Sequence, residues 1–259
     1  MGTLGKVDPI NKNYYEPIEY TERWTFILFF IGGILSFSPL LVEFIPSYIY
    51  KAVQIVFLCT VMALFILNHV LRLYLIPQAE ESRVQDFLSS AYGIQLIQDT
   101  TKKYYNNEEK FSSRKAALQL LENLFFTKCV SAEMLKCMRP FFYVYLISWV
   151  MLISCREVSL DWVFIASQVV FSEEVLSKYI RLEYLRHRAG KLYDEVYRLF
   201  QTTQSHFEIY ALEKFVIYEK VKAGLGITLS SKVFNKLNDE LSIRWTTICK
   251  SLENSGEQK

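Results

Sequence analysis

Two runs almost free of charge, residues 24–45 and 52–76, constrain this chain more than any other feature. The first, WTFILFFIGGILSFSPLLVEFI, carries only Glu43, near its end. The second, AVQIVFLCTVMALFILNHVLRLYLI, carries only Arg72 as a fixed charge. A helix needs about 20 apolar residues to cross a hydrocarbon core of roughly 30 Å, and each run is long enough. A pair of buried core helices is the competing reading, but core helices rarely stay apolar on every face for so long. With the short stretch PSYIY as the turn between them, the runs are expected to form a transmembrane helical hairpin.

A second pair of apolar stretches, residues 140–155 and 160–171, is shorter. Arg139 and Lys178 can snorkel and so lengthen the tolerated helices, whereas interfacial or re-entrant placement is the alternative. The reading adopted is an all-α integral membrane protein with two transmembrane helical hairpins, four spans in all, and cytoplasmic helical regions. It divides the chain into a cytoplasmic N-terminal segment (1–23), a first hairpin (24–76) and a cytoplasmic helical region (77–139). A second hairpin (140–172) and a cytoplasmic C-terminal helical region (173–259) complete it. Lys and Arg near span ends set the orientation. The two turns carry only Lys51 and Arg156. The opposite sides carry Arg23, Arg72, Arg83, Lys136, Arg139, Lys178, Arg181, Arg186 and Arg188. Both termini are therefore expected in the cytoplasm.

Composition narrows the partners. The formal net charge of +2 is too small to imply stable nucleic-acid binding. The five cysteines form no CxxC pair, which reads as reduced thiols and not as a disulfide framework. The first residues, MGTLGKVDPINKNYYEP, hold no apolar signal-peptide core, and position six is Lys where a myristoylation site has Ser or Thr.

Three groups of residues stand out as candidate sites. Asn68, His69 and Arg72 lie at the expected cytoplasmic end of span two. Anchoring plus a helix–helix hydrogen bond is the plain reading, and a pore-lining or gating role the alternative. Lys102, Lys103, Tyr104 and Tyr105 put cations and aromatic faces on one polar loop, as a nucleotide or phosphate site requires, although a solvated loop needs no ligand. Lys178, Arg181, Arg186, Arg188 and Lys191 follow the last apolar stretch, where anionic lipid headgroups would attract them.

The remaining regions read as helices. AEESRVQDFLSSAYG has helical spacing up to Gly93, Ser112 or Ser113 can cap the next helix, and a short helix is expected from Ser131 to Pro140. Residues 172–223 read as one long helix, interrupted near 202–205, whose apolar stripe suits self-association. Ser230 opens a last amphipathic helix. The adjacent carboxylates Glu80 and Glu81 read as solvated surface. His69, His187 and His206 are scattered, and the chain has no zinc spacing, GxxxxGK[ST] or GxSxG. The expectation is therefore no enzyme, with no catalytic, cofactor-binding or metal-ligating residue to nominate.

The layout of short-looped spans around small helical parts resembles the pore-forming multi-span membrane effectors of bacterial anti-phage defence. AEESRVQDFLSSAYG, KKYYNNEE and LLENLFFTK are similar to stretches of bacterial membrane proteins. The resemblance implies an effector of the bacterial inner (plasma) membrane that oligomerises and permeabilises or depolarises it on a trigger. The implied partners are the lipid bilayer, further copies of the chain, and a cytosolic partner protein or nucleotide signal. The central region departs from the four-span pattern, so no functional residue is carried over. A constitutive channel or transporter subunit, and a membrane anchor or scaffold recruiting a cytosolic partner, are the competing functions.

Overall fold

Pro46 ends one apolar stretch and starts the next. Its ψ of 141° is extended, and its carbonyl accepts from the amides of Ile49 (3.0 Å) and Tyr50 (3.1 Å), so the helix begins at Ser47. The expected turn PSYIY is thus shorter than the sequence suggested, because SYIY already forms the first helical turn. The structure is a computed structural model that describes residues 8–35, 38, 44–101, 104–105, 109–154, 176–202 and 206–257. Lys102 and Lys103 lie outside the described residues, as does most of the expected second hairpin, including the turn at Arg156.

The described residues are helical, with no strand among them. In chain order the helices are α1 (Glu16–Leu35), α2 (Ser47–Val70), α3 (Ile76–Tyr92), α4 (Ser113–Ser154), α5 (Leu176–Gln201), α6 (Phe207–Leu225) and α7 (Ser231–Glu257). Short π-helical turns, Asn11–Tyr15 and Leu71–Leu75, precede α1 and α3. The chain groups into two units: Met1–Glu16, Ile76–Leu135 and Arg181–Lys259 form the first, and Pro17–Leu75 with Lys136–Ile180 the second.

In the second unit, α2 packs on α1 where Gly32 faces Thr60 and Leu64. A Cβ built on Gly32 would lie 3.5 Å from Thr60 Cγ2, so a glycine here lets the two helices approach closely. Phe142 and Tyr179 stack at 4.3 Å, and Lys178 pairs with Glu22 at 2.8 Å. Among the described residues one helix, Ser47–Tyr92, contains a window long and apolar enough to cross a membrane, and only 6% of that window is buried.

The first unit has a core of its own. Leu120, Leu121, Leu124 and Val130 of α4 meet Leu192 and Val196 of α5 and Leu241 and Trp245 of α7. The 3-4 spacing of Leu182, Leu185, Ala189, Leu192, Val196 and Leu199 puts all six on one buried stripe. Of the stripe expected to self-associate, Leu185, Leu192, Val196 and Leu199 are covered within this unit, whereas Ile180 is 55% exposed. The interruption near 202 is present, since α5 ends at Gln201 and α6 starts at Phe207. The short helix expected from Ser131 is instead part of α4, which continues through Pro140.

The loop after α3 is tied down by α3 itself. Gly93 adopts φ 71°, and a Cβ there would meet Phe111 Cδ2 at 2.9 Å, so this turn requires glycine. Asp86, only 1% exposed, accepts from Thr101 N (2.9 Å) and Thr101 Oγ1 (2.7 Å). Leu96 N donates to Ser89 Oγ at 3.1 Å. Ser112 then caps α4 by accepting from Lys115 N at 3.2 Å.

Candidate functional site

Within the first unit, charged side chains from the N-terminal turn, α3 and α6 meet around one cavity. Asp8 stands before Pro9 and caps the first turn, accepting from Asn11 N at 3.0 Å. The same carboxylate receives both ends of the Arg83 guanidinium from α3, at 3.3 Å (Nη1–Oδ1) and 3.1 Å (Nη2–Oδ2). This bidentate geometry fixes Arg83 in one orientation. Its Cζ lies over two aromatic rings, 5.3 Å from the Tyr15 centroid and 4.7 Å from that of Tyr104.

One turn earlier on α3, Glu80 accepts from the Tyr15 hydroxyl at 3.2 Å and forms an ion pair with Lys222 of α6. Lys222 also reaches Glu219 Oε2 at 3.3 Å, and its ammonium lies 5.3 Å from the Tyr218 ring centroid. The Tyr218 hydroxyl in turn meets Thr127 Oγ1 of α4 at 2.7 Å. All of these groups except Glu219, with asparagines 11, 123, 235 and 238, line a cavity of about 390 Å³. That volume falls in the roughly 300–1,000 Å³ range of small-molecule sites.

The electrostatics have a definite sign. Burial opposes the charge on Lys222, but Glu80 and Glu219 outweigh it and hold the ammonium well above its ordinary pKa. Burial likewise opposes the charge on Arg83, and Tyr104, Tyr15 and Asp8 outweigh it. Burial, reinforced by Glu80, raises the Tyr15 phenol, and burial raises Tyr218 and the Glu219 carboxyl against the pull of Lys222. Both cations therefore stay charged and both phenols stay neutral. At the cavity Asp8 and Glu80 face Arg83 and Lys222, and Glu219 pairs with Lys222.

The residues singled out in the sequence are placed unevenly. Tyr104 lies on the cavity wall, and Tyr105 is beside it, edge-on to Phe87 at 6.0 Å, with its hydroxyl 3.5 Å from Asn123 Nδ2. Asn68 and His69 end α2, and Arg72 lies in the π-helical turn that follows. The His69 ring bonds within its own helix, Nδ1 to Phe65 O at 2.8 Å, and lies 4.0 Å from the Phe65 ring. The basic stretch is largely engaged by protein. Besides the Lys178–Glu22 pair, Arg181 Nη1 donates to Leu225 O at 2.8 Å, and Arg186 pairs with Glu183. Lys191 is exposed, and Arg188 is half-buried.

Glu80 corrects the reading of the paired carboxylates as solvated surface. Its side chain is 12% exposed, whereas the neighbouring Glu81 faces solvent. Helical spacing contains the missed signal. Glu80 and Arg83 share the face of Phe87 on α3 (i, i+3, i+7), and Lys222 continues the row Ala211, Phe215, Tyr218 on α6. Charges on a core-facing row need partners, and here they supply one another. Among the described residues, no group of three His, Cys, Asp or Glu side chains could hold a metal ion. Comparison of the chain with protein-family models, curated proteins and solved structures yields no match.

Proposed function

We propose that this chain is a membrane-embedded effector that oligomerises and permeabilises or depolarises its bilayer on a trigger, with the cavity as the place where the trigger binds. The membrane half of this reading is supported by the surface of α2 and the turn after it, where Leu58 (62%), Phe65 (59%) and Leu73 (64%) are exposed together with Ile55, Met62 and Ile66. Water penalises so long an apolar surface, while lipid matches it and a helix keeps its backbone bonds satisfied there. In this reading the second apolar pair completes four spans, the termini are cytoplasmic, and the bilayer is a bacterial inner membrane. Asn68, His69 and Arg72 stand at the cytoplasmic mouth, beside a π-helical turn of the kind often found at functional sites.

The cavity half rests on cost. Taking ions out of water costs several kcal/mol each, and apolar residues of similar volume often stabilise as well as a buried pair. Buried ions arranged around an open cavity are what a ligand site requires. Glu80 and Arg83 follow α2 closely in sequence, so an event at the cavity has a short covalent route to the span.

A membrane anchor that recruits a cytosolic partner is the second reading. It is favoured by polar groups of the span that are satisfied locally: Gln54 Nε2 donates to Ser38 Oγ (2.9 Å) and Thr60 Oγ1 to Val56 O (2.8 Å). The deciding experiment expresses the chain with its genomic neighbours in bacteria under phage challenge and follows a potential-sensitive dye. Depolarisation coincident with growth arrest is expected. Protection without depolarisation would remove the pore-forming reading and leave the anchor.

A further inference from the structure

The helix α6 carries two different rows of side chains. Ala211, Phe215, Tyr218 and Lys222 turn inward, toward the core and the cavity. Glu208, Leu212, Val216 and Lys220 form a second row that is exposed along its whole length. Residues four apart line up as a ridge on a helix. Ile209 lies beside this ridge, so three large apolar side chains stand together outside the core, with Leu212 57% and Val216 56% exposed. An apolar strip rimmed by charge is the mark of an interaction surface.

The order of residues along the ridge decides what covers it. It runs acid, apolar, apolar, base, and is therefore its own complement when reversed. A two-fold contact sets one patch against itself, so that residue i meets j and j meets i. With two copies antiparallel, the apolar residues meet in the middle, and each end of the contact brings Glu208 toward the partner's Lys220. A parallel contact would set acid against acid and base against base. Neither Glu208 nor Lys220 has an ion-pair partner among the described residues, whereas Glu213, beside the ridge, is held by Lys214 at 3.2 Å. One acid against one base leaves the ridge neutral, which gives an anionic bilayer surface nothing to attract.

We propose that the outer ridge of α6 is the contact through which two copies of this chain associate, antiparallel, about a two-fold axis level with Lys214. This names the interface of the oligomerising effector and rests on that reading. With α2 held in a bilayer, the copies are confined to one plane, and the raised effective concentration lets a single helix face suffice. A two-fold contact closes on itself, so the unit it builds is a dimer.

The test is disulfide cross-linking of the full chain in bacterial membranes. Two differently tagged copies are co-expressed with the five native cysteines changed to alanine, one carrying Glu208→Cys and the other Lys220→Cys. Mixed links are expected, because like positions lie about 18 Å apart in the antiparallel contact, at about 1.5 Å of rise per residue. A second arm keeps the native cysteines and reads co-purification of the two tags. Lys220→Glu should lower the co-purified fraction severalfold, and adding Glu208→Lys should restore it. Both positions are exposed, so these variants are expected to keep the wild-type helical melt. Links between like positions, or a double charge swap that restores nothing, overturn the contact. Quenching of a bimane label on Val216→Cys by brominated lipid also overturns it, and assigns the ridge to the bilayer surface. If depolarisation persists while no link forms, the contact falls and the effector reading stands. Mixed links without depolarisation leave the contact in place and remove the effector reading.

Discussion

Lys222 of α6 and Glu80 of α3 are joined by an ion pair whose side chains are only 17% and 12% exposed, at the wall of the cavity. Removing one partner of such a pair leaves the other uncompensated, which typically costs about 3–5 kcal/mol. Lys222→Met leaves Glu80 and Glu219 facing each other without a cation and should therefore be the most damaging single change at the site. Adding Glu80→Gln to it should recover part of the loss. A double-mutant cycle by circular-dichroism melting reads the coupling. Additive losses would show that the pair contributes nothing.

Glu219 gives this cluster a pH dependence with an unusual sign. Burial raises its carboxyl pKa even with Lys222 beside it. The folded state thus binds the proton more tightly than the unfolded state. The stabilisation from this group is complete below the ordinary carboxylate pKa and is lost as pH rises through the raised value. Glu219→Gln should therefore be more stable than wild type near neutrality, with the difference closing on acidification. Melting curves of both proteins across the carboxylate range, from acid to neutral, check this. A variant less stable at neutral pH would reverse the sign.

Asp86 and Thr101 hold the loop that brings Tyr104 to the cavity. Hydrogen bonds to a charged acceptor contribute roughly 1.5–3 kcal/mol, and Asp86 receives two of them while almost fully buried. Asp86→Ala should abolish hydrogen-exchange protection of the Thr101 amide and weaken any ligand held in the cavity. Retained protection of that amide would show that the loop is held by other contacts.

Much of this first unit was legible because helical periodicity records burial directly. The stops at Gly93 and near residue 202, and the final helix from Ser230–Ser231, follow from glycine conformation, a polar break and a serine cap. What periodicity cannot record is what covers a stripe. Leu192 and Val196 suit an interface between copies as well as they suit a core, and only the placement of α4 and α7 decides between them. Glu80 reads as surface because its partners Tyr15 and Lys222 are distant in sequence, and a charge reveals its burial only when its partner is known. Leu192→Ala should accordingly cost about 2–5 kcal/mol of stability as a core truncation. Size-exclusion chromatography with melting distinguishes this from an interface effect, which would lower the oligomer without lowering the melt.

Gly32 tests the hairpin of α1 and α2. A methyl group there meets Thr60 Cγ2 at an ordinary 3.5 Å, so Gly32→Ala should be tolerated and gain about 0.8–1 kcal/mol of helix propensity. Gly32→Leu cannot fit the same contact and should force the two helices apart, lowering the melt in detergent. Equal behaviour of the two variants would place this face away from the helix contact.

Leu58 on α2 and Ile209 on α6 offer the sharpest comparison between lipid and water. Both are apolar, both are helical, and their exposures are nearly equal at 62% and 65%. If both faced water, lysine at either place would be a surface change within about 0.5 kcal/mol. If α2 lies in a bilayer, a lysine near its middle costs roughly 2.5–3.5 kcal/mol of insertion free energy, while Ile209→Lys remains free of that cost. Leu58→Lys should therefore shift the chain out of the carbonate-resistant membrane fraction, and Ile209→Lys should leave it there. The comparison is internal to one protein, so expression level and detergent history cancel. Equal partitioning of the two variants would mean that the exposed face of α2 does not meet lipid, and the effector reading would lose its support with it.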